Sequence, residues 1–158
     1  MKFRKATPND AIGIATVLKE CYNIKSIKEG VEVFKNEVLK QYNYIVADDN
    51  GRIAGLVTWQ MHGLPKHQLC ELDRIAVLPE YRGRGVGKAL FNALVKDADS
   101  AYRKYGFRLR KLYLLTHKSN KGAQAFYKKL GFKHEATLKD HYYKGEDEFV
   151  FSMFFDSK

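Results

Sequence analysis

Two cysteines in 158 residues, Cys21 and Cys70, are too few and too far apart for a disulfide framework. Their scarcity fits a reducing compartment and argues against a disulfide-stapled secreted domain. No apolar run approaches the ~20 residues needed to cross a bilayer, so no membrane partner is expected. The opening Met1-Lys2-Phe3-Arg4-Lys5 is basic, but no apolar stretch follows it, so a secretory leader is not expected either. Linkers, internal repeats and low-complexity segments are also missing. The expectation is one cytoplasmic domain over residues 1–158, large enough to bury a core of its own. Acidic residues are absent from the whole stretch between Asp99 and Glu135, which carries ten Lys or Arg side chains. With a formal net charge of +10, the chain favours anionic partners: nucleic acid, an acidic protein surface or a phosphate-rich ligand. No zinc-finger, RNA-recognition or helix-turn-helix pattern accompanies the charge. A basic nucleic-acid-binding module therefore stands only as an alternative.

Periodicity gives a mixed order of elements. Lys2 to Ala6 reads as a strand. Thr7-Pro8-Asn9-Asp10 reads as a helix start, followed by an apolar stripe at Ile12, Ala15, Leu18 and Tyr22. A second helix is expected over residues 31–42, with Val31, Phe34, Val38 and Leu39 on one side. Tyr44 to Ala47 and Arg52 to Met61 form a hairpin about Asp48-Asp49-Asn50-Gly51. Leu69 to Val77 is a third long strand. A glycine cluster then opens a helix with an apolar stripe at Val86, Leu90, Ala93, Leu94, Ala98 and Ala101. Leu112 to Leu115 is a buried strand, Gly122 to Leu130 a short helix closed by Gly131, and a hairpin around Lys144-Gly145-Glu146 ends the chain.

The segment Arg82-Gly83-Arg84-Gly85-Val86-Gly87-Lys88 lies between strand and helix, where backbone N–H groups and the helix dipole favour a phosphate. Glycine lets a ligand approach the backbone closely. A mononucleotide P-loop would need Gly at position 82 and Ser or Thr at 89; the chain has Arg82 and Ala89. A dinucleotide fingerprint would need a third glycine at 88, where Lys88 stands. The pattern Arg/Gln-x-x-Gly-x-Gly/Ala is met by Arg82, Gly85 and Gly87.

The run from Ile75 to Leu90 resembles motif A of the GCN5-related N-acetyltransferase (GNAT) superfamily, and Asn120 to Phe132 resembles its motif B. The resemblance implies an α/β GNAT fold: a mixed, twisted sheet of six or seven strands, splayed between strands 4 and 5 and flanked by about four helices. It implies acetyl-CoA as cosubstrate. The backbone of Ile75, Ala76 and Val77 would pair with the pantetheine amides. The N–H groups from Arg82 through Gly83, Arg84, Gly85, Val86 and Gly87 to Lys88 would hold the diphosphate. Asn120, Ala123 and Tyr127 would lie along the pantetheine arm. His141 to Asp147 resembles the closing hairpin of ribosomal-protein and N-terminal acetyltransferases, where a tyrosine helps hold the substrate peptide. Tyr142 or Tyr143 would do so here, since adjacent strand residues point to opposite faces.

Acyl transfer to an amine needs a neutral amine, a stabilised oxyanion and a proton for the departing thiolate. Tyr127 matches the tyrosine that many members place beside the thioester sulfur and is the candidate acid. Glu71 is the candidate base: it precedes Val77 by six residues on one strand face, the offset of the glutamate base in histone-acetylating members. Asp73 shares that face. Leu115 departs from the family pattern, because N-terminal acetyltransferases often carry Glu or His at its position. His117, two residues on, is the next candidate there. The acceptor is expected to be a protein or peptide amine; a small amine such as a polyamine is the alternative, favoured if Glu71, Asp73, Asp140 and Glu146 form an acidic pocket. No metal is expected. His134-Glu135 lacks the second histidine of a zinc-protease motif, since position 138 is Leu. His62 and His67 lack metal-ligand partners at suitable spacing. Cys70 reads as a small buried residue rather than a nucleophile. The assembly expected is a monomer or homodimer.

Overall fold

The structure is a computed structural model that describes residues 1–155. Residues 156–158, the end of the expected domain, lie outside the described residues. Among the described residues seven strands form one mixed sheet in the order β1-β2-β3-β4-β5-β7-β6, with four α-helices. This is the expected α/β architecture. By compactness the chain divides into two units, Met1–Gln60 with Asp73–Asp99, and Met61–Leu72 with Ser100 onwards. Among the described residues no helix is long and apolar enough to cross a membrane.

In the first unit, β1 (Lys2–Lys5) pairs antiparallel with β2 (Asn43–Asp49), which pairs with β3 (Arg52–His62). The β2–β3 turn is tight because Asn50 and Gly51 both take left-handed angles, φ 52° and 96°. A single 3-10 turn at Pro8–Asp10 follows β1. The Asp10 carboxylate accepts the Thr7 N–H at 2.7 Å and two Arg4 bonds at 2.8 and 2.9 Å. One buried carboxylate thus closes the turn and ties it to β1. The Arg4 guanidinium and the Thr7 N–H hold the Asp10 carboxyl below the usual range.

Helix α1 (Ala11–Cys21) buries Ile14, Ala15, Val17 and Leu18. Ala15 and Leu18 belong to the expected stripe, whereas Ile12, its first member, is 68% exposed. Helix α2 (Ile27–Leu39) starts before the expected residue 31. Ser26 Oγ accepts the Glu29 N–H at 3.0 Å, and Glu29 accepts the Lys25 N–H at 2.8 Å. Gly30 lets α2 close on α1, since a Cβ there would stand 2.8 Å from the Ala15 Cα. Phe34 is the buried member of the expected α2 stripe, while Val38 and Leu39 are exposed. Both line a cavity of about 440 Å³ with Pro8, Phe34, Tyr42 and Tyr44; none of its lining residues was a candidate site residue in the sequence.

Strand β4 (Leu69–Val77) has the bounds expected from the sequence. Helix α3 (Val86–Arg103) buries Val86, Leu90, Leu94 and Ala98 as expected, and also Phe91 and Tyr102.

In the second unit, β5 (Lys111–His117) pairs parallel with the start of β4 over three positions, Leu69↔Lys111 to Glu71↔Tyr113. Both strands continue past the last pair, which is the expected splay. The closing hairpin is β6 (Lys133–Tyr143) and β7 (Glu146–Phe154), with β7 antiparallel to β5 along its whole length. Helix α4 (Lys121–Leu130) ends at Gly131, whose φ of 109° is the left-handed cap.

Candidate active site

The glycine loop belongs to the first unit. Gly83 and Gly85 take φ of 76° and 78°, with open space where a Cβ would stand. The conformation, not crowding, asks for glycine there. The first backbone bond of α3 runs from the Ala89 N–H to the Gly85 carbonyl at 3.1 Å. The N–H groups of Val86, Gly87 and Lys88 therefore have no intrahelical acceptor and point out at the positive end of the helix. That is the arrangement of an anion site. Tyr81 braces the loop from beneath: its hydroxyl donates to Asp49 at 2.7 Å, and the Arg52 and Arg84 guanidinium groups lie 5.4 and 5.5 Å from its ring centre.

Arg82 is committed elsewhere. Its Nε donates to the Val77 carbonyl at 2.9 Å, Nη2 approaches Cys21 Sγ at 3.8 Å, and its N–H bonds the Pro79 carbonyl at 3.2 Å. It fastens the loop to the end of β4. Arg84 and Lys88 are exposed, as is Arg82.

The end of β4 is held from several sides. Tyr22 donates to the Ile75 carbonyl at 3.1 Å, and the Leu78 N–H bonds Ala54 at 2.8 Å. Ala76 packs so closely on β3 that a Cβ at Gly55 would stand 2.6 Å from the Ala76 carbonyl oxygen. Asp73 lies 3.7 Å from Arg74, whose guanidinium donates twice to Glu37 at 2.6 and 2.8 Å.

The second unit holds the other candidates. Glu71 Oε1 contacts His62 Nε2 at 2.8 Å and accepts from the Tyr113 hydroxyl at 3.3 Å. Burial, then the Glu71 charge, push the Tyr113 phenol up. Burial pushes the neighbouring Cys70 thiol up to about 12, so it stays protonated and unreactive at neutral pH.

Along β5 the burial alternates, placing Tyr113, Leu115 and His117 on the less buried face. His117 is paired across the strands with Glu148 of β7, and its Nδ1 contacts the Glu148 carboxylate directly. Glu148 is only 2% exposed. Tyr143 places its ring 6.1 Å from that of His117, whereas Tyr142 stacks edge-on with His141 at 4.7 Å. Glu146 accepts the Ser119 N–H at 3.0 Å. His117, Glu146 and Glu148 bring one ligating atom each within 4.8 Å of one another.

On α4, Asn120 caps its own helix, accepting the Ala123 N–H at 3.0 Å. Gln124 is buried and donates to the carbonyls of His117 and Lys118 at 3.1 and 2.7 Å, fixing the helix to the end of β5. Tyr127 is 8% exposed and packs edge-on against Phe126 and Phe132 at 5.5 and 5.9 Å. Tyr127, rather than the adjacent Phe126, takes the core position; Phe126 is only half-buried. Desolvation pushes the Tyr127 phenol up to about 12. Its hydroxyl bonds to none of the described residues, and its oxygen is not sealed from solvent.

Sequence reasoning missed His62, Tyr113, Gln124 and Glu148. The last is an acidic residue in an alternating strand, and only the β5–β7 register reveals its partner.

These features are those of an acyl-CoA-dependent transferase, and the chain belongs to the acetyltransferase (GNAT) family, whose sequence model matches residues 13–132. It is an N-acetyltransferase by that membership, and the family uses acetyl-CoA. An N-alpha-acetyltransferase of Sulfurisphaera tokodaii is 34% identical over 126 residues, covering 72% of this chain and 71% of the relative. An uncharacterised N-acetyltransferase of Methanocaldococcus jannaschii is 34% identical over 99 residues, covering 61% of this chain but only 41% of the relative. The [ribosomal protein bS18]-alanine N-acetyltransferase of Escherichia coli is 38% identical over 76 residues, covering 48% of this chain and 47% of the relative. Among solved structures, an aminoglycoside 6'-N-acetyltransferase complexed with coenzyme A matches with a TM-score of 0.83, at 14% identity, over 100% of this chain and 99% of that one. At that identity the likeness is one of fold.

Proposed function

We propose that residues 1–158 form one N-acetyltransferase domain that moves the acetyl group of acetyl-CoA to a primary amine of a protein or peptide, by direct attack in a ternary complex. The observation that carries this reading is Tyr127: a buried phenol, kept protonated, whose hydroxyl has no partner among the described residues. The glycine loop supports it. Its left-handed glycines and the free N–H groups from Val86 to Lys88 suit a diphosphate, with Arg84 and Lys88 as cations. Arg82 contributes by holding the loop against β4.

Tyr127 faces the thiolate leaving group as a hydrogen-bond donor. A phenol at about 12 is a weaker acid than an ordinary thiol near ~8.5, so full proton transfer is uphill and the bond itself does the stabilising. For the acceptor, the S. tokodaii relative's name favours an α-amine. Chemistry agrees: an α-amine of pKa ~7.7–8.0 is neutral roughly a few hundred times more often at pH 7 than a lysine amine of ~10.4. Tyr143, beside His117, is the better placed of the two tyrosines to contact a peptide.

Mass spectrometry of acetyl transfer to a panel of N-terminal peptides, lysine peptides and polyamines tests this. Acetylation of the peptides is expected, α-amines first. Tyr127→Phe should cut kcat by about 10²-fold or more with little change in acetyl-CoA Kd. No CoA release with any acceptor would refute the function; unchanged kcat in Tyr127→Phe would refute the role of that residue.

A further inference from the structure

The geometry points to His117 as the general base for the acceptor amine, with Glu148 as its positioning residue; this rests on the acetyl-transfer reading above. The arrangement is a buried carboxylate, an imidazole and an open nitrogen, in that order. Glu148 contacts Nδ1 of His117 and is almost fully buried, while the His117 side chain is 42% exposed. Nε2 of His117 has no partner among the described residues. A carboxylate on Nδ1 fixes the tautomer with its proton there and leaves the Nε2 lone pair outward, and it stabilises the imidazolium that forms when that lone pair takes a proton.

The backbone on either side of the ring is fixed as well. Gln124 from α4, the helix that carries Tyr127, donates to the His117 carbonyl, and the Asn120 N–H bonds the same oxygen at 2.9 Å. The charged and titratable groups around the ring are Glu148 and Glu146 on β7 and Tyr143 on β6. Glu71, by contrast, already meets His62 and Tyr113 through Oε1. Leu115 removes the base from the position that the family resemblance assigns on this strand. His117 restores one on the same face.

In the step, Nε2 of His117 takes a proton from the acceptor amine as its nitrogen attacks the thioester carbonyl carbon. The new C–N bond forms and the carbonyl electron pair moves to oxygen. Collapse re-forms the carbonyl and breaks the C–S bond. The sulfur leaves with that electron pair, hydrogen-bonded by Tyr127, and is protonated from solvent. His117 later returns its proton to solvent. The products are the amide and CoA.

The test uses the full chain, acetyl-CoA and the best peptide acceptor from the panel. His117→Ala should lower kcat by about 10²–10⁴-fold while acetyl-CoA Kd, by calorimetry, stays within a factor of about three. Added imidazole should restore part of the rate in His117→Ala and none in Tyr127→Phe, a readout that a merely structural role would not give. Glu148→Gln should lower kcat about tenfold or more, with KM less affected. His117→Ala within threefold of wild-type kcat, or a loss of rate not rescued by imidazole, overturns the assignment while leaving acetyl transfer intact. If His117→Ala melts well below the wild type, His117→Gln serves in its place for the kcat threshold alone, since its side chain fills the space that imidazole would need. A wild-type chain that neither binds acetyl-CoA nor acetylates any peptide overturns the function and the base together.

Discussion

Gly55→Ala is a single methyl added where β3 meets β4, and its effect follows from three distances. The new Cβ would stand 2.6 Å from the Ala76 carbonyl oxygen and 3.3 Å from both Leu90 Cδ1 and Val77 Cα. The first contact is with backbone, so no rotamer change relieves it; β3 and β4 must separate locally by a few tenths of an ångström. Overpacking of this kind costs about 1–3 kcal/mol. The shorter list of unfolded conformers open to alanine returns about 0.5–1 kcal/mol. The central values leave a net loss of about 1.2 kcal/mol, which for a chain of this size lowers Tm by roughly 2.5–5 °C. Scanning calorimetry measures it directly. Because the displaced segment is Ala76–Val77, acetyl-CoA affinity should fall too, by titration calorimetry at a temperature where the variant is folded. Gly122→Ala provides the contrast. A Cβ there meets nothing closer than 3.9 Å, at Asn120 Oδ1, and the residue lies in α4, so Tm should rise slightly. A Gly55→Ala variant as stable as the parent would refute the reading of Gly55 as a close-approach residue.

Asp10→Ala removes the carboxylate that serves both the Thr7 N–H and Arg4, and should cost about 2–3 kcal/mol, seen as a lower urea midpoint. Since the Asp10 carboxyl lies below its unfolded value in the folded chain, its share of stability is present above about pH 4 and lost as the pH falls through the folded value; the parent and Asp10→Ala midpoints should converge in acid. At the other extreme, burial raises Tyr127 to about 12 and pushes Tyr44, Tyr102 and Tyr113 up as well. Unfolded tyrosines ionise near ~10, so stability is intact below that pH and falls as the pH climbs towards 12, Tyr127 alone accounting for about 2–3 kcal/mol. Equal urea midpoints at pH 9 and 11.5 would contradict this.

The parts of the fold legible in the sequence were those fixed by local chemistry. The β2–β3 turn is written in Asn50-Gly51, the first turn of the chain in Thr7-Pro8-Asn9-Asp10, and β4 in its own alternation. The glycine loop pointed to the family, which the sequence model over residues 13–132 shows. Helix ends were harder. In α1 and α2 the middle of each expected stripe is buried, at Ala15, Leu18 and Phe34, but Ile12, Val38 and Leu39 lie in a first or last turn and are exposed. The α2 start was readable after all, since Ser26-x-x-Glu29 has the form of a capping box. Within the candidate site, Tyr127 and Glu71 were legible as residue types in a motif or an offset. The partners that define their environments were not. His62 to Glu71 and His117 to Glu148 are separated by 9 and 31 residues, and nothing local records a cross-strand register.

The face of β5 that carries Tyr113, Leu115 and His117 has a consequence for how enzymes on this scaffold can diverge. A strand returns to the same face only every second residue, about 6.6 Å along its axis. A proton acceptor can therefore move along this face by discrete steps but not by small adjustments. Moving it from position 115 to 117 carries it one such step towards the closing hairpin, and an acceptor would have to present its nitrogen one step further along as well. On such a surface, preference for one amine over another is graduated like the marks on a ruler, and a new preference can arise from exchanging two residues on one strand without disturbing the glycine loop.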